Sequence, residues 1–247
     1  MEQGGPRLRG VVAEDLQDLV LDSVDVQEFL HMLSRYAAEF LSTAGRPVLC
    51  GVTVTRPKKP LMTAASDPEA VAMDQIQDMA GDGPCLTAEQ ELRTIHVQDL
   101  ASDKQWPVFS LAAAERGYRS ILAVPVELDD QTRAALIFYA EAPAAFTTDN
   151  ITQAENIARQ ASKALRLALR IGRLLEARDD LVAAMESRTV IDMAIGAIMA
   201  QNRCSPGKAF AFLRDASNTR NTKLRDVAKY VIVSIDGTAD VQAHFEE

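Results

Sequence analysis

Between Pro143 and Pro206 the chain contains no proline. Proline inside a helix removes a backbone donor and clashes with the preceding turn, so its absence over so long a run permits one continuous helix. The apolar residues agree: Ile151, Ala154, Ala158, Ala161, Leu165 and Ala168 fall three and four apart, which predicts a helix from Thr148 to Asn202. Such a stripe has two physical uses. It can be the seam of a coiled coil, with small alanines letting a second helix approach closely in a parallel homodimer, or it can pack back onto a sheet of its own chain. Near Gly172 the register slips, since Leu175, Leu181 and Met185 leave the earlier steps, and a slip of that kind is where a coiled coil changes its winding.

Beyond Arg188 three apolar stripes follow in quick succession. Val190, Ile191, Ala194, Ile195, Ile198 and Met199 make the first. Ser205-Pro206 reads as an N-cap followed by proline at the first helical position, where its missing donor has no partner to lose. The second stripe is Ala209, Phe210, Leu213 and Ala216, ending in the turn-forming SNTRN; the third is Leu224, Val227, Ala228, Val231 and Ile232. Together they predict a small three-helix bundle. From Arg203 to Lys229 seven cations stand against two acids, in a chain whose net charge is −9. A basic patch on an acidic protein is a footprint for a polyanion; a solvated helical face is the plainer alternative.

Upstream, Phe29, Leu30, Leu33, Ala37, Phe40 and Leu41 predict a helix from Asp25 that stops near Gly45. In VLCGVTVT the period falls to two, with Val48, Cys50, Val52 and Val54 on one face. LMTAAS follows as a hairpin partner, residues 67–81 as a helix entered through Asp67-Pro68, Thr94 to Val97 as a short strand and Asp103 to Gly117 as a helix; SILAVPVEL and RAALIFYA are two strong strands joined by DDQT. That order predicts an α+β domain, an antiparallel sheet with helices on one side. Residues 1–23 begin as a Gly/Pro/Arg tail, expected to be partly disordered.

Several functions are excluded or weakened by composition. No run of apolar residues is long enough to span a bilayer, and the first residues lack the apolar core of a signal sequence, so the expected location is cytoplasmic. Cys50, Cys85 and Cys204 make no metal-ligand spacing and suit a reducing compartment. His31, His96 and His244 have no ligand partners at useful spacing, so neither a metal site nor a catalytic constellation is expected. GDGP lacks the second glycine and the lysine of a phosphate loop. Cys85 alone invites attention: a helix N-terminus there could lower its pKa, although an inert, semi-buried thiol is the simpler reading.

The C-terminal stretch resembles an ANTAR domain, the helical RNA-binding module of bacterial antiterminators. The likeness runs through Arg188, Ile191-Asp192-Met193-Ala194, Gly196, Met199, Lys208-Ala209-Phe210, Leu213-Arg214, Ala216, Asn221 and Lys223 to Ala228. The family usually carries lysine where this chain has Ile195; that lysine would either touch RNA or cover the edge of the bundle. Residues 24–168 are similar to a GAF domain, a sensory fold, through GDGPCLTA, Val97-x-Asp99-Leu100, Trp106-Pro107-x-Phe109, Gly117-Tyr118-x-Ser120, Val124-Pro125-Val126 and Ala144 to Thr147. The pairing is an arrangement of actinobacterial regulators. It implies a GAF sensor (24–168), a coiled-coil-like connector (148–187), an ANTAR bundle (178–236) and a C-terminal tail (237–247).

What the resemblance implies is a homodimeric antitermination regulator, not an enzyme, whose sensor pair sets the rotation or spacing of two bundles that bind RNA hairpins in leader transcripts. Arg188, Arg203, Lys208, Arg214, Arg220, Lys223 and Lys229 become the candidate phosphate contacts, and Asn218 and Asn221 the base-edge readers. Ala194 and Gly196 are read as small residues for close packing. GAF domains hold a small-molecule effector, of a kind that varies across the family, between the sheet and the helical excursion; Cys85, Trp106, Phe109 and Phe138 are the pocket candidates. Two other classes stay open. One is a ligand-sensing regulator that binds duplex DNA; the other is a GAF-based methionine sulfoxide reductase, which needs a nucleophilic and a resolving thiol within reach.

Overall fold

The computed structural model describes residues 5–129 and 131–236. Helices α1 (Gly5–Asp22) and α2 (Val26–Leu41) lead into strands β1 (Leu49–Thr55) and β2 (Met62–Ala65). A helical excursion of α3 (Pro68–Ala80) and α4 (Pro84–Glu91) precedes β3 (Ile95–Val97), and a single 3-10 turn (Leu100–Ser102) precedes α5 (Pro107–Glu115). The hairpin β4 (Ser120–Pro125) and β5 (Arg133–Ala140) completes an antiparallel sheet of order β2-β1-β5-β4-β3. Then come α6 (Thr148–Asn202), α7 (Pro206–Arg220) and α8 (Leu224–Asp236).

Sheet pairing sorts neighbouring residues onto opposite faces. Cys50, Val52, Val54, Leu122, Val124, Leu136 and Phe138 face one core, built with α1, α2 and α6. Ile121, Ala123, Ala135, Ile137 and Tyr139 face another, built with α3, α4 and α5. Helices therefore cover both faces rather than the one expected, because β1, β4 and β5 are apolar on both sides and each side needs a cover.

Two further expectations are corrected. Residues 5–22 are helical, and Val12, Leu16 and Val20 are buried against α2 and the sheet, so the stretch is part of the core and not a tail. Their four-residue steps inside a Gly/Pro/Arg-rich context hid the helix. Residues 1–4 and the expected C-terminal tail at 237–247 lie outside the described residues. The helix predicted from Thr148 to Asn202 has those bounds, but its first half is no seam for a second chain: Ala154, Ile157, Ala158, Ala161, Leu165 and Ala168 are buried in the chain's own core. Gly172 continues that fit, since a Cβ there would sit 3.0 Å from Val26 Cγ2 at the start of α2.

The chain divides into two compact units between Gly172 and Arg173. In the second, the end of α6 supplies the first helix of a bundle, Ala194 and Ile198 packing with Ala209 and Leu213 of α7 and Val227 and Ala228 of α8. Pro206 opens α7 at its first position, but the Ser205 side chain makes no capping bond. Asn221 ends α7 in the left-handed conformation, which asparagine tolerates, and the Ser217 hydroxyl bonds the Thr222 carbonyl at 2.6 Å to close the turn.

Leu165 is fully buried between α6 and the sheet, so Leu165→Ala should cost about 2 to 5 kcal/mol of sensor stability. Urea unfolding should show this loss at every protein concentration, whereas a residue of a dimer seam would give a loss that varies with concentration.

Candidate nucleic-acid interface and sensor interior

In the second unit the expected cations stay at the surface. Arg188, Arg203, Lys208, Arg214, Arg220, Lys223 and Lys229 are all exposed. Two of them have acidic neighbours within the module, Arg188 with Asp192 at 3.7 Å and Arg214 with Asp215 at 3.5 Å, in both cases largely in water. Exposed pairs of this length are worth at most about 1 kcal/mol and are readily exchanged for a phosphate. Arg203, Lys208, Arg220, Lys223 and Lys229 have no ion pair among the described residues. Arg214 and Asn218 lie four apart on α7, on the side away from buried Ala209 and Leu213. Asn218 and Asn221 are both exposed, and Asn221 is fixed in its left-handed turn by its N–H donating to the Asn218 carbonyl at 3.3 Å.

Small residues in the first helix behave differently from one another. Ala194 is fully buried, as close packing requires. Gly196 is exposed, and a Cβ there would meet nothing within 4 Å, so it serves no helix packing and the expectation is corrected. Ile195 is half-buried against the bundle core and extends its apolar stripe.

The apolar period missed three aromatic residues. Phe210, grouped with the second stripe, is 40 % exposed; Phe212 is 54 % and Tyr230 72 % exposed. Tyr230 was recognisable in principle, since it is out of step with Val227, Ala228 and Val231, which pack inward. Exposed aromatic faces among cations are stacking platforms for unpaired bases.

In the first unit, Cys85, Trp106 and Phe109 converge in the core beneath α3–α5, but Phe138 faces the opposite core, on the α6 side of the sheet. Around Cys85 lies a buried polar cluster. Tyr139 donates its hydroxyl to Asp74 Oδ1 at 2.6 Å, and Gln77 donates to the Tyr139 oxygen at 3.2 Å while accepting the Cys85 backbone N–H at 2.9 Å. Thr53 reaches the Glu89 carboxylate and lies 3.4 Å from Cys85 Sγ. Thr55 donates to the other Glu89 oxygen at 3.3 Å. Asp74 Oδ2 has no partner, and it fits only because residue 51 is glycine, whose Cβ would overlap it.

Burial dominates the electrostatics of this cluster. It raises Asp74 to about 7, with Asp78 and Glu89 raising it further and the Tyr139 hydrogen bond opposing. Burial also raises Glu89. The Cys85 thiol is pushed well up, by burial first and then by the charges of Glu89 and Asp74. The Cys85 thiol is therefore raised and not lowered despite its place in the first turn of α4. Cys50, also raised by burial, projects from the other face of the sheet. The two thiols are separated by the strands.

A model of the GAF domain matches residues 23–166, and a model of the ANTAR domain matches residues 179–232. Among solved structures, an N-acylhomoserine lactone dependent LuxR family transcription factor, CepR2 from Burkholderia cenocepacia, is 14% identical with a TM-score of 0.50, over 68% of this chain and 99% of its own. The fRMsr of Staphylococcus aureus is 19% identical with a TM-score of 0.47, over 67% and 99%. The GAF domain of an Acinetobacter phosphoenolpyruvate-protein phosphotransferase is 15% identical with a TM-score of 0.47, over 67% and 97%. At these identities the likeness concerns the fold alone. No curated protein matches the chain.

A carboxyl held near 7 in the fold and near 4 in the unfolded chain binds its proton more tightly when folded. Its contribution to stability is complete below about pH 4 and is lost as pH rises through 7. Asp74→Asn should remove that loss: between pH 6 and 8 the wild-type melting temperature should fall relative to the variant, by up to about 1.4 kcal/mol per pH unit in stability. Parallel profiles for the two proteins in thermal melts would contradict the assignment.

Proposed function

The chain belongs to the GAF-domain family and carries an ANTAR domain beyond its sensor, and on that premise we propose that it is a cytoplasmic, homodimeric regulator of transcription antitermination. ANTAR is an RNA-binding antitermination domain and GAF a sensor domain. In this reading the module binds hairpins of a leader transcript, so that a terminator does not form, and a small-molecule effector in the GAF domain governs that binding. No described helix is long and apolar enough to cross a membrane. The observation that carries the reading is the set of exposed, mostly unpaired cations on the three-helix module of an acidic chain. Phosphates would meet Arg214, Lys223 and their neighbours, Asn218 and Asn221 would read base edges, and Tyr230 would stack on a splayed base.

Support for a homodimer comes from α6 beyond its buried alanines. Leu167, Ile171, Leu174, Leu181 and Met185 are 42–64 % exposed and follow heptad steps, with Arg178 at the intervening place. A second copy presents the same row, so parallel pairing buries both. Arginine within such a seam weakens it but penalises shifted registers, which suits a rod that must report rotation. A redox enzyme of the two-thiol kind is disfavoured because Cys50 and Cys85 project from opposite faces of the sheet.

Filter binding should show preference for hairpin RNA over duplex DNA of equal length; preference for the duplex would favour the DNA-binding alternative. Arg214→Ala with Lys223→Ala should weaken RNA binding and reduce its salt slope by about 0.7 to 0.9 for each phosphate that is no longer neutralised, while native mass spectrometry still reads two copies. Tyr230→Ala should weaken binding by about 1 to 3 kcal/mol without changing the salt slope, and Tyr230→Phe should leave it intact.

A further inference from the structure

The α6 side of the sensor contains a cavity of about 330 Å³ that has no part in the cluster around Asp74. It forms because β3 begins only at Ile95, opposite Ala123, so that Val124 and Pro125 at the end of β4 have no partner on the β3 side. Its walls are fixed. Ser162 donates to the Glu127 carbonyl, Arg166 donates to the Glu127 and Leu128 carbonyls at 3.1 and 2.8 Å, and Thr94 donates to Glu155 Oε1 at 2.7 Å. Val124 and Ala158 make an apolar floor. Leu92 closes the rim in a left-handed conformation (φ 51°) that a branched side chain rarely adopts, with 46 % of its surface in water. Strain and an exposed apolar side chain on a rim are features that binding sites retain.

Charges around this cavity are left unused. Arg159 and Glu155 are one helical turn apart on α6, where they would ordinarily pair, yet they form no ion pair, and Arg159 has no partner at all among the described residues. Glu127 likewise has no partner for its carboxylate among the described residues. The cavity thus offers two guanidiniums and two carboxylates over an apolar floor, the Arg166 guanidinium tied to backbone carbonyls and that of Arg159 free. A simple anion on Arg159 would leave the two acids with Arg166 alone, and a simple cation would leave Arg159 uncompensated. A molecule with both charges satisfies the set, with an aliphatic portion against Val124 and Leu92. The volume lies at the small end of ligand sites.

We propose that this cavity is a second ligand site of the sensor, taking a free α-amino acid with its carboxylate on Arg159 and its ammonium between Glu155 and Glu127. Such a ligand would bridge the sheet to α6, the helix that continues into the RNA-binding module, so its occupancy bears directly on the output element. That consequence rests on the regulator reading above; the site itself does not, and the two are separable by experiment.

Thermal melts of the full chain, with the proteinogenic L-amino acids added one at a time at millimolar concentration, test the site without RNA. At least one should raise the melting temperature of the sensor by roughly 2 to 5 °C at about ten times its Kd, while acetate and methylammonium should not. Calorimetry with that amino acid should show at least a tenfold weaker Kd for Arg159→Gln and for Glu155→Gln, both surface-facing changes, and an unchanged Kd for Asp74→Asn on the other face. No shift with any amino acid, an equal shift with acetate, or undiminished binding by Arg159→Gln would overturn the proposal. Binding without any effect on RNA affinity would uphold the site and count against the coupling.

Discussion

The structure depends on one helix being close to one sheet. Alanines at 154, 158, 161, 164 and 168 are buried on α6, in the core shared with α2 and with β1, β4 and β5, together with Ile157, Leu165 and Leu169. A helix ends where a cap, a glycine or a proline supplies an alternative to its hydrogen bonds. None does so before Asn202. The wall of the sensor core and the first helix of the RNA-binding bundle are therefore the same covalent object.

The two faces of the sheet are chemically unequal. Among the described residues the α6 face buries no charged group, its buried polar side chains including Ser34 on α2 and Ser162 on α6, whereas the α3–α5 face contains Asp74, Gln77, Glu89 and Tyr139, all nearly inaccessible. Burying a carboxylate beside other acids works against stability, and Asp74 accepts only the Tyr139 hydroxyl in return. Such an arrangement is tolerated where its chemistry is used. Burial raises the Asp74 carboxyl to about 7.

How far the sequence carried the fold can be judged element by element. Strand β5 was legible as RAALIFYA and α6 to its last residue, because a two-residue period and a proline-free helical period are local properties. Which partner buries a stripe is not local. Ile151 to Ala168 reads the same whether the cover is a second helix or a sheet, and only the β1–β5 pairing, made across more than seventy residues of sequence, decides it. Phe138 was misassigned for a related reason: alternation says that Phe138 and Tyr139 face opposite ways, but not which face the helical excursion covers. The Asp74 cluster was invisible because its members come from β1, α3, α4 and β5 and form no motif along the chain. On the module, the cations were legible from charge alone, while exposed Tyr230 needed the packing of its neighbours to stand out.

Charge placement gives the functional reading its physical weight. Pairing surface cations with nearby acids adds little stability, so folding alone does not explain why seven Lys and Arg residues stand against two acids between Arg203 and Lys229 in a chain with nine more acidic than basic groups. For a polyanion the same distribution matters greatly. The excess of acids elsewhere in the chain repels phosphate at a distance, the module attracts it, and the resulting field orients approach before any contact is made. Each phosphate then neutralised releases counterions, which makes affinity steeply dependent on salt and largely independent of sequence. Selectivity must come from the neutral groups set among the cations. In the proposed reading, Asn218 and Asn221 around the turn after α7, and Tyr230 on α8, would be the groups that distinguish unpaired bases from a regular duplex.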